Sequence, residues 1–242
     1  MAGAARAFTG TVVDAGKTMV WHVGRAPNPW TWVERQYAGH NRWDDADGVF
    51  RTIYVGDSLY ACYVEVLAFA RPDLDDEGGD LLADIVEESE DAAEYPVPAP
   101  GAVPREWIGA RMVGTATLDG LYADVRTTDT IAALRPTFLR LALLLGYPDF
   151  DAAALKSAKP RELTQRVAAH LYALTDPDGF TLADGVRFAS RHGDELTMWA
   201  VFERPGDEPA SRHLRRVTSE LVDDDDRPDL ARAMALHRLS WL

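Results

Sequence analysis

The chain has one cysteine in 242 residues, Cys62, so no internal disulfide can form. A reducing compartment is the expectation, and within its apolar surroundings Cys62 reads as a small buried hydrophobe. Basic residues are also scarce: 25 Lys and Arg stand against 39 Asp and Glu, a formal charge of −14. This balance argues against direct nucleic-acid binding, which needs clustered Lys and Arg at the phosphates. It leaves room for a small anionic ligand, which needs roughly two or three local cations. No window reaches about 18 uninterrupted apolar residues, so no membrane span is expected. The first ten residues lack the apolar core of a secretory leader, and a cytoplasmic protein is the expectation.

Common signature motifs are missing too. There is no G-x-G-x-x-G, no P-loop and no H-E-x-x-H. The six histidines are scattered and one cysteine cannot build a thiolate zinc site, so no metal is expected. Ser190 and His192 lie close in sequence, but the G-x-S-x-G elbow of a serine hydrolase is absent. Asp44-Asp45 and Asp47-Gly48 resemble part of a calcium loop without its terminal glutamate, which reads as turn chemistry.

What is present has the composition of a folded globular protein, and the length suits a single domain with a substantial core. Thr18–Val23 reads as the first core strand. Arg25 to Trp43 is a long loop carrying Pro27, Pro29, Trp30, Trp32 and Tyr37, too apolar for a linker and suited to packing as a wall. Arg51–Val55 reads as a second strand, and Ser58 is placed to cap the helix that follows. Residues 73 to 94 carry eleven acidic residues and no basic one. With the proline-rich stretch after them they read as an acidic insertion over about 73–104, a solvated face. Trp107–Leu118 and Leu121–Val125 read as strands of a hairpin turning at Asp119-Gly120. Thr130–Leu145, kinked or split by Pro136, then Asp149–Ala158 and Arg161–Leu174 read as helices. Gly185–Ala189 and Leu196–Glu203 read as strands. Ser211–Val222 and Asp229–Leu242 read as a helical C-terminal extension over about 207–242. Strands and helices mix without βαβ alternation, so the expected class is α+β.

The segment from Leu59 to Ala70 is apolar on every side apart from Glu65. A helix of that kind is normally buried, and an ionised carboxylate within it is costly unless compensated. Glu65 is therefore the leading candidate for a functional group. His22, Arg42, Tyr54 and Ser190 are weaker candidates, each with an ordinary structural explanation.

The run N-R-W-D-D-x-D-G-V-F-R-T-I-Y-V-G-D-S followed by A-C-Y-V-E-V-L-A resembles the RES domain, best known as the toxin of RES–Xre toxin–antitoxin pairs. G-V-R-F-A-S-R at 185–191 is similar to the family's C-terminal region, so the resemblance spans a core of about 20–202. It implies a compact fold related to ADP-ribosyltransferases, with a mixed sheet flanked by helices, and a site that binds and cleaves NAD⁺ as substrate. By position, Tyr54 and Glu65 match the family's catalytic tyrosine and glutamate. Arg42 matches its loop arginine, and Ser190 is the best match for the named serine, with the polar segment Arg161–Gln165 as the alternative. His22 stands where the family usually has an arginine in the pattern V-W-R-V-G-R, and Arg25 or Arg51 would compensate. Cleavage of the nicotinamide–ribose bond passes through an oxocarbenium-like state. Glu65 would stabilise that cation, Tyr54 would pack on the nicotinamide ring, and His22, Arg25, Arg42, Arg51 and Ser190 would hold the rest of the dinucleotide. The resemblance implies an NAD⁺ glycohydrolase, phosphorylase or ADP-ribosyltransferase, with an Xre-like antitoxin as partner; a homodimer is a separate expectation. The alternative is a catalytically inactive module that binds a nucleotide or a protein through the same pocket.

Overall fold

The structure is a computed structural model and describes residues 8–72, 101–157, 159–222 and 227–242. The acidic run 73–94 lies outside them. The fold is mixed α+β. Its strands are β1 Val12–Asp14, β2 Thr18–Arg25, β3 Thr52–Gly56, β4 Ala102–Val103, β5 Arg111–Leu118, β6 Leu121–Asp124, β7 Gly185–Ser190, β8 Gly193–Phe202, β9 Leu214–Arg215, β10 Glu220–Leu221 and β11 Ser240–Trp241. The main sheet runs β1-β6-β7-β8-β3-β2-β5-β10, with β9 also on β5. β6 and β7 are parallel, whereas β2/β5, β3/β8 and β7/β8 are antiparallel.

The pleat sends alternate side chains to opposite faces, and each face has its own core. Val20, Ile53, Val55, Ala116, Leu118, Trp199 and Val201 build one, closed by Trp30 and Trp32. Trp21, Tyr54, Met198, Ala200 and Phe202 turn to the other, where the helices pack. These helices are α1 Leu59–Val66, α2 Glu106–Gly109, α3 Thr128–Leu144, α4 Ala152–Lys156, α5 Glu162–Ala173 and α6 Pro228–His237.

Helix α1 begins where the sequence signals it: the Ser58 hydroxyl accepts from the amide of Ala61, satisfying a first-turn donor. Its apolar surface is explained by a sandwich, with the sheet on one side and α6 on the other. Val64 and Leu67 are fully buried, each contributing about 1.5–3 kcal/mol of hydrophobic stabilisation. His237 of α6 bonds the Val64 carbonyl at 2.8 Å. The C-terminal segment thus completes the burial of α1, and the Ser240 and Leu242 amides tie its end to Gly101 and Val103.

Several sequence expectations change. Asp119-Gly120 is not a hairpin turn. β5 and β6 continue one another around a bend, as do β1 and β2 beside them, with the Ala15 amide bonded to the Gly120 carbonyl. A D-G pair supplies the same positive φ, here +100° at Gly120, for a bend as for a hairpin. Ser211–Val222 is not a helix: it adds the short strands β9 and β10 along β5, where edge hydrogen bonds outweigh helical periodicity. Trp107–Gly109 lies in the turn α2, and the strand starts at Arg111. Pro136 neither ends nor splits α3. It lies on the exposed side, as does Ala132, so the carbonyl that loses its partner faces water.

Candidate functional site

β2 pairs with β5 along its whole length, and β3 pairs with β8 along its whole length. Between them β2 and β3 are paired at only one position, Trp21 with Gly56. Beyond it the strands part, and a cavity of about 590 Å³ opens in the split. Val23, Arg25, Thr52 and Tyr54 on the parted edges line it. Cys62, Glu65, Val66 and Phe69 form its second wall, and steps of three and four residues place them on one side of the helix. Gly56 permits this approach, since a Cβ there would lie 2.9 Å from Cys62 Sγ.

The aromatic loop forms the third wall and is fixed at many points. Trp30 Nε1 donates to the Thr218 carbonyl at 2.9 Å, and Trp32 Nε1 donates to Asp207 O. Gly114 makes room for the first of these bonds, because a Cβ there would lie 2.0 Å from Thr218 O. Gln165 holds the Gly39 and Asn41 carbonyls at 2.8 and 3.1 Å, and Arg161 bonds the His40 carbonyl. The loop is a preformed wall, so little ordering entropy remains to oppose binding.

Tyr54 joins the strand to this wall. Its phenol donates to Asp44 Oδ1 at 2.8 Å and accepts from the Trp43 amide at 3.0 Å. Burial, reinforced by the Asp44 charge, pushes the phenol well above its ordinary range. Burial also raises the Asp44 carboxyl, against bonds from Asn41 and Tyr54. Tyr54 therefore presents a neutral aromatic wall, not an acid or base. Asp45 Oδ2 accepts from the Val49 amide at 2.6 Å and Asp47 pairs with Arg166, which is turn and surface chemistry. Among the described residues no cluster suits a metal ion.

Arg42 reaches the cavity with its guanidinium 4.8 Å from the centre of the Phe188 ring. It bonds the carbonyls of Lys156 at 3.1 Å and Ala189 at 3.4 Å. Burial lowers its pKa, while the charge of Glu65 acts the other way. Glu65 Oε1 is buried and takes no hydrogen bond among the described residues, a costly state for a carboxylate without a ligand. Arg25 and Arg111 occupy facing positions in the β2/β5 register, and both line the cavity. With Arg42, Arg161 and Arg191 they give the lining five guanidinium groups among the described residues, beside Glu34, Asp44 and Glu65.

His22 sits at the split, where its two ring nitrogens lie 2.8 and 2.9 Å from the carbonyl oxygens of Tyr54 and Pro29 and the ring packs 5.0 Å from Trp30. Burial lowers its pKa, against the pull of the two carbonyls. Of the expected site residues, His22, Arg25, Arg42, Tyr54 and Glu65 are brought together around the cavity. Arg51 and Ser190 do not line it. Arg51 is held by Glu203 through bonds of 2.7 and 2.9 Å. Ser190 is fully buried, its hydroxyl accepting from the His192 amide at 3.0 Å. The neighbouring Arg191 lines the cavity instead, and burial lowers its pKa against the charge of Glu65. Sequence reasoning missed Arg191, Arg111 and Phe188. Arg191 stood beside a residue already singled out; Arg111 had no local signal, since its place depends on strand register.

Comparison with models of known families, with curated proteins and with solved structures gave no match. No helix among the described residues is long and apolar enough to cross a membrane.

Proposed function

We propose that the split between β2 and β3 binds NAD⁺ and that the chain cleaves its nicotinamide–ribose bond. The observation carrying this reading is Glu65: a carboxylate with a buried oxygen that takes no hydrogen bond among the described residues, in a cavity lined by Tyr54 and by arginines. In the reaction the C1′–N bond breaks, its electron pair leaves with neutral nicotinamide, and positive charge develops on the ribose. Glu65 meets that charge in a low-dielectric setting, where a fixed carboxylate has most effect. Tyr54 offers a neutral aromatic surface to the cationic ring, and Arg25, Arg42, Arg111 and Arg191 take the pyrophosphate. The acceptor is water, phosphate or a protein side chain. The resemblance to RES domains supports the same reading, including an ADP-ribosyltransferase-like fold and a toxin's role with an Xre-like antitoxin.

The test is nicotinamide release from NAD⁺. Glu65→Gln keeps the shape and removes the charge, and should reduce the rate by on the order of a hundredfold or more. Equal turnover by the variant sinks the proposal. One observation favours a second reading, a binding module without turnover. Both nitrogens of His22, which replaces the family's arginine, are engaged by backbone carbonyls and offer no donor to a pyrophosphate. Calorimetry showing ADP-ribose binding, together with no nicotinamide release, selects that reading.

A further inference from the structure

The two ring nitrogens of His22 both face atoms that only accept. Nδ1 lies 2.8 Å from the Tyr54 carbonyl oxygen and Nε2 lies 2.9 Å from that of Pro29. A neutral imidazole has one N–H to give. In the neutral ring one of these contacts therefore sets a nitrogen lone pair against an oxygen lone pair. The imidazolium satisfies both and joins strand β3 to the loop wall at the closed end of the split, beside the Trp21–Gly56 pair.

The surroundings determine which form is present. Burial favours the neutral ring, and the Arg111 guanidinium on β5 adds to that preference. From β3, Tyr54 contributes its carbonyl while its phenol is committed to Asp44. From the loop, Pro29 contributes a carbonyl and Trp30 an uncharged ring. From α1, Cys62 is turned to the Trp21 carbonyl at 3.2 Å, and Glu65 lines the same cavity. His22 itself lines the cavity, so the negative charge of a diphosphate bound there favours the imidazolium directly.

We propose that His22 is a proton-linked clasp: entry of a nucleoside diphosphate into the split drives proton uptake at His22, which turns its second carbonyl contact into a hydrogen bond. The inference rests on the reading of the cavity as an NAD⁺ site for its ligand class, but not on turnover. His22 is then a positioning residue that ties Tyr54 and the wall together around the ligand. Linkage is reciprocal. A ligand that promotes protonation binds more tightly when the proton is available, so affinity falls as pH rises, with a limiting slope of about tenfold per pH unit for one proton.

The test uses the full chain with ADP-ribose as probe. Long-range nitrogen NMR of ¹⁵N-histidine-labelled wild-type protein, with His22 assigned by through-bond correlation to its own amide, reads the ring state directly. A single-N–H tautomer in the free protein at neutral pH that becomes an imidazolium on adding ADP-ribose is the expected result. Calorimetry in two buffers of different ionisation enthalpy should show proton uptake on binding, lost in His22→Asn. Binding that leaves His22 in one state throughout overturns the clasp and leaves the ligand reading standing. Undiminished proton uptake in the variant also overturns it. An absence of ADP-ribose binding overturns the ligand reading and the clasp together. The NMR arm reads wild-type protein, so a variant that fails to fold does not block the test.

Discussion

Tyr54 donates its phenolic hydrogen to Asp44 at 2.8 Å, and this bond ties the strand that lines the cavity to the loop that walls it. Asp44 is buried. Tyr54→Phe removes the donor and leaves the carboxylate one bond short, which should cost about 1–3 kcal/mol. Denaturant unfolding measures the loss, and ADP-ribose affinity should weaken with it because the wall is less well fixed. A variant with unchanged stability would show that Asp44 has another means of satisfaction.

Arg51 is a structural residue by its contacts. It bonds Glu203 through two side-chain atoms, its amide also donates to Glu203, and each side chain is 9% exposed. Glu208 and the Val33 carbonyl also hold Arg51, so Glu203→Ala leaves the guanidinium partly compensated and should destabilise the protein by about 1.5–3 kcal/mol, the range for lost bonds to a charged group. Replacing both with apolar residues of similar volume should recover much of that loss. The chemical midpoints of the single and double variants decide this.

His213 lies between Asp119 and Asp184, at 3.1 and 3.3 Å, beside the bend from β5 to β6. Burial alone would lower the imidazole, but the bonds and charges of Asp184 and Asp119 outweigh it and raise its pKa. A group raised in the folded state stabilises fully below its unfolded value and loses that contribution as pH rises through its folded value. Stability should therefore fall as pH rises from about 6.5, the ordinary imidazole value, through the folded-state titration. His213→Asn should flatten that dependence, as urea unfolding across this pH range will show.

Local signals in the sequence were readable where their cause was local. Ser58 marked the start of α1 because capping is a contact within one turn, and Glu65 stood out because a charge in an apolar helix has few explanations. The partners were not readable. Asp119-Gly120 signals a reversal or a bend equally well, and only the pairing of β1 with β6 distinguishes them. The facing of Arg25 and Arg111 likewise depends on the β2/β5 register, which no short window contains. The cavity itself comes from a ladder that stops after one pair, Trp21 with Gly56, and an absent pairing has no sequence signature. Ser190 shows the reverse case: a residue matched to a motif turned out to be buried in its own turn, while Arg191 beside it faces the cavity.

The central claim is that Glu65 stabilises a ribosyl cation in the split between β2 and β3. The most direct measurement is single-turnover release of nicotinamide from NAD⁺ by wild-type and Glu65→Gln protein, with ADP-ribose affinity measured on the same samples. The account predicts that release slows by about a hundredfold or more while ADP-ribose affinity changes little. Equal release rates in the two proteins, or no release from either, would contradict it.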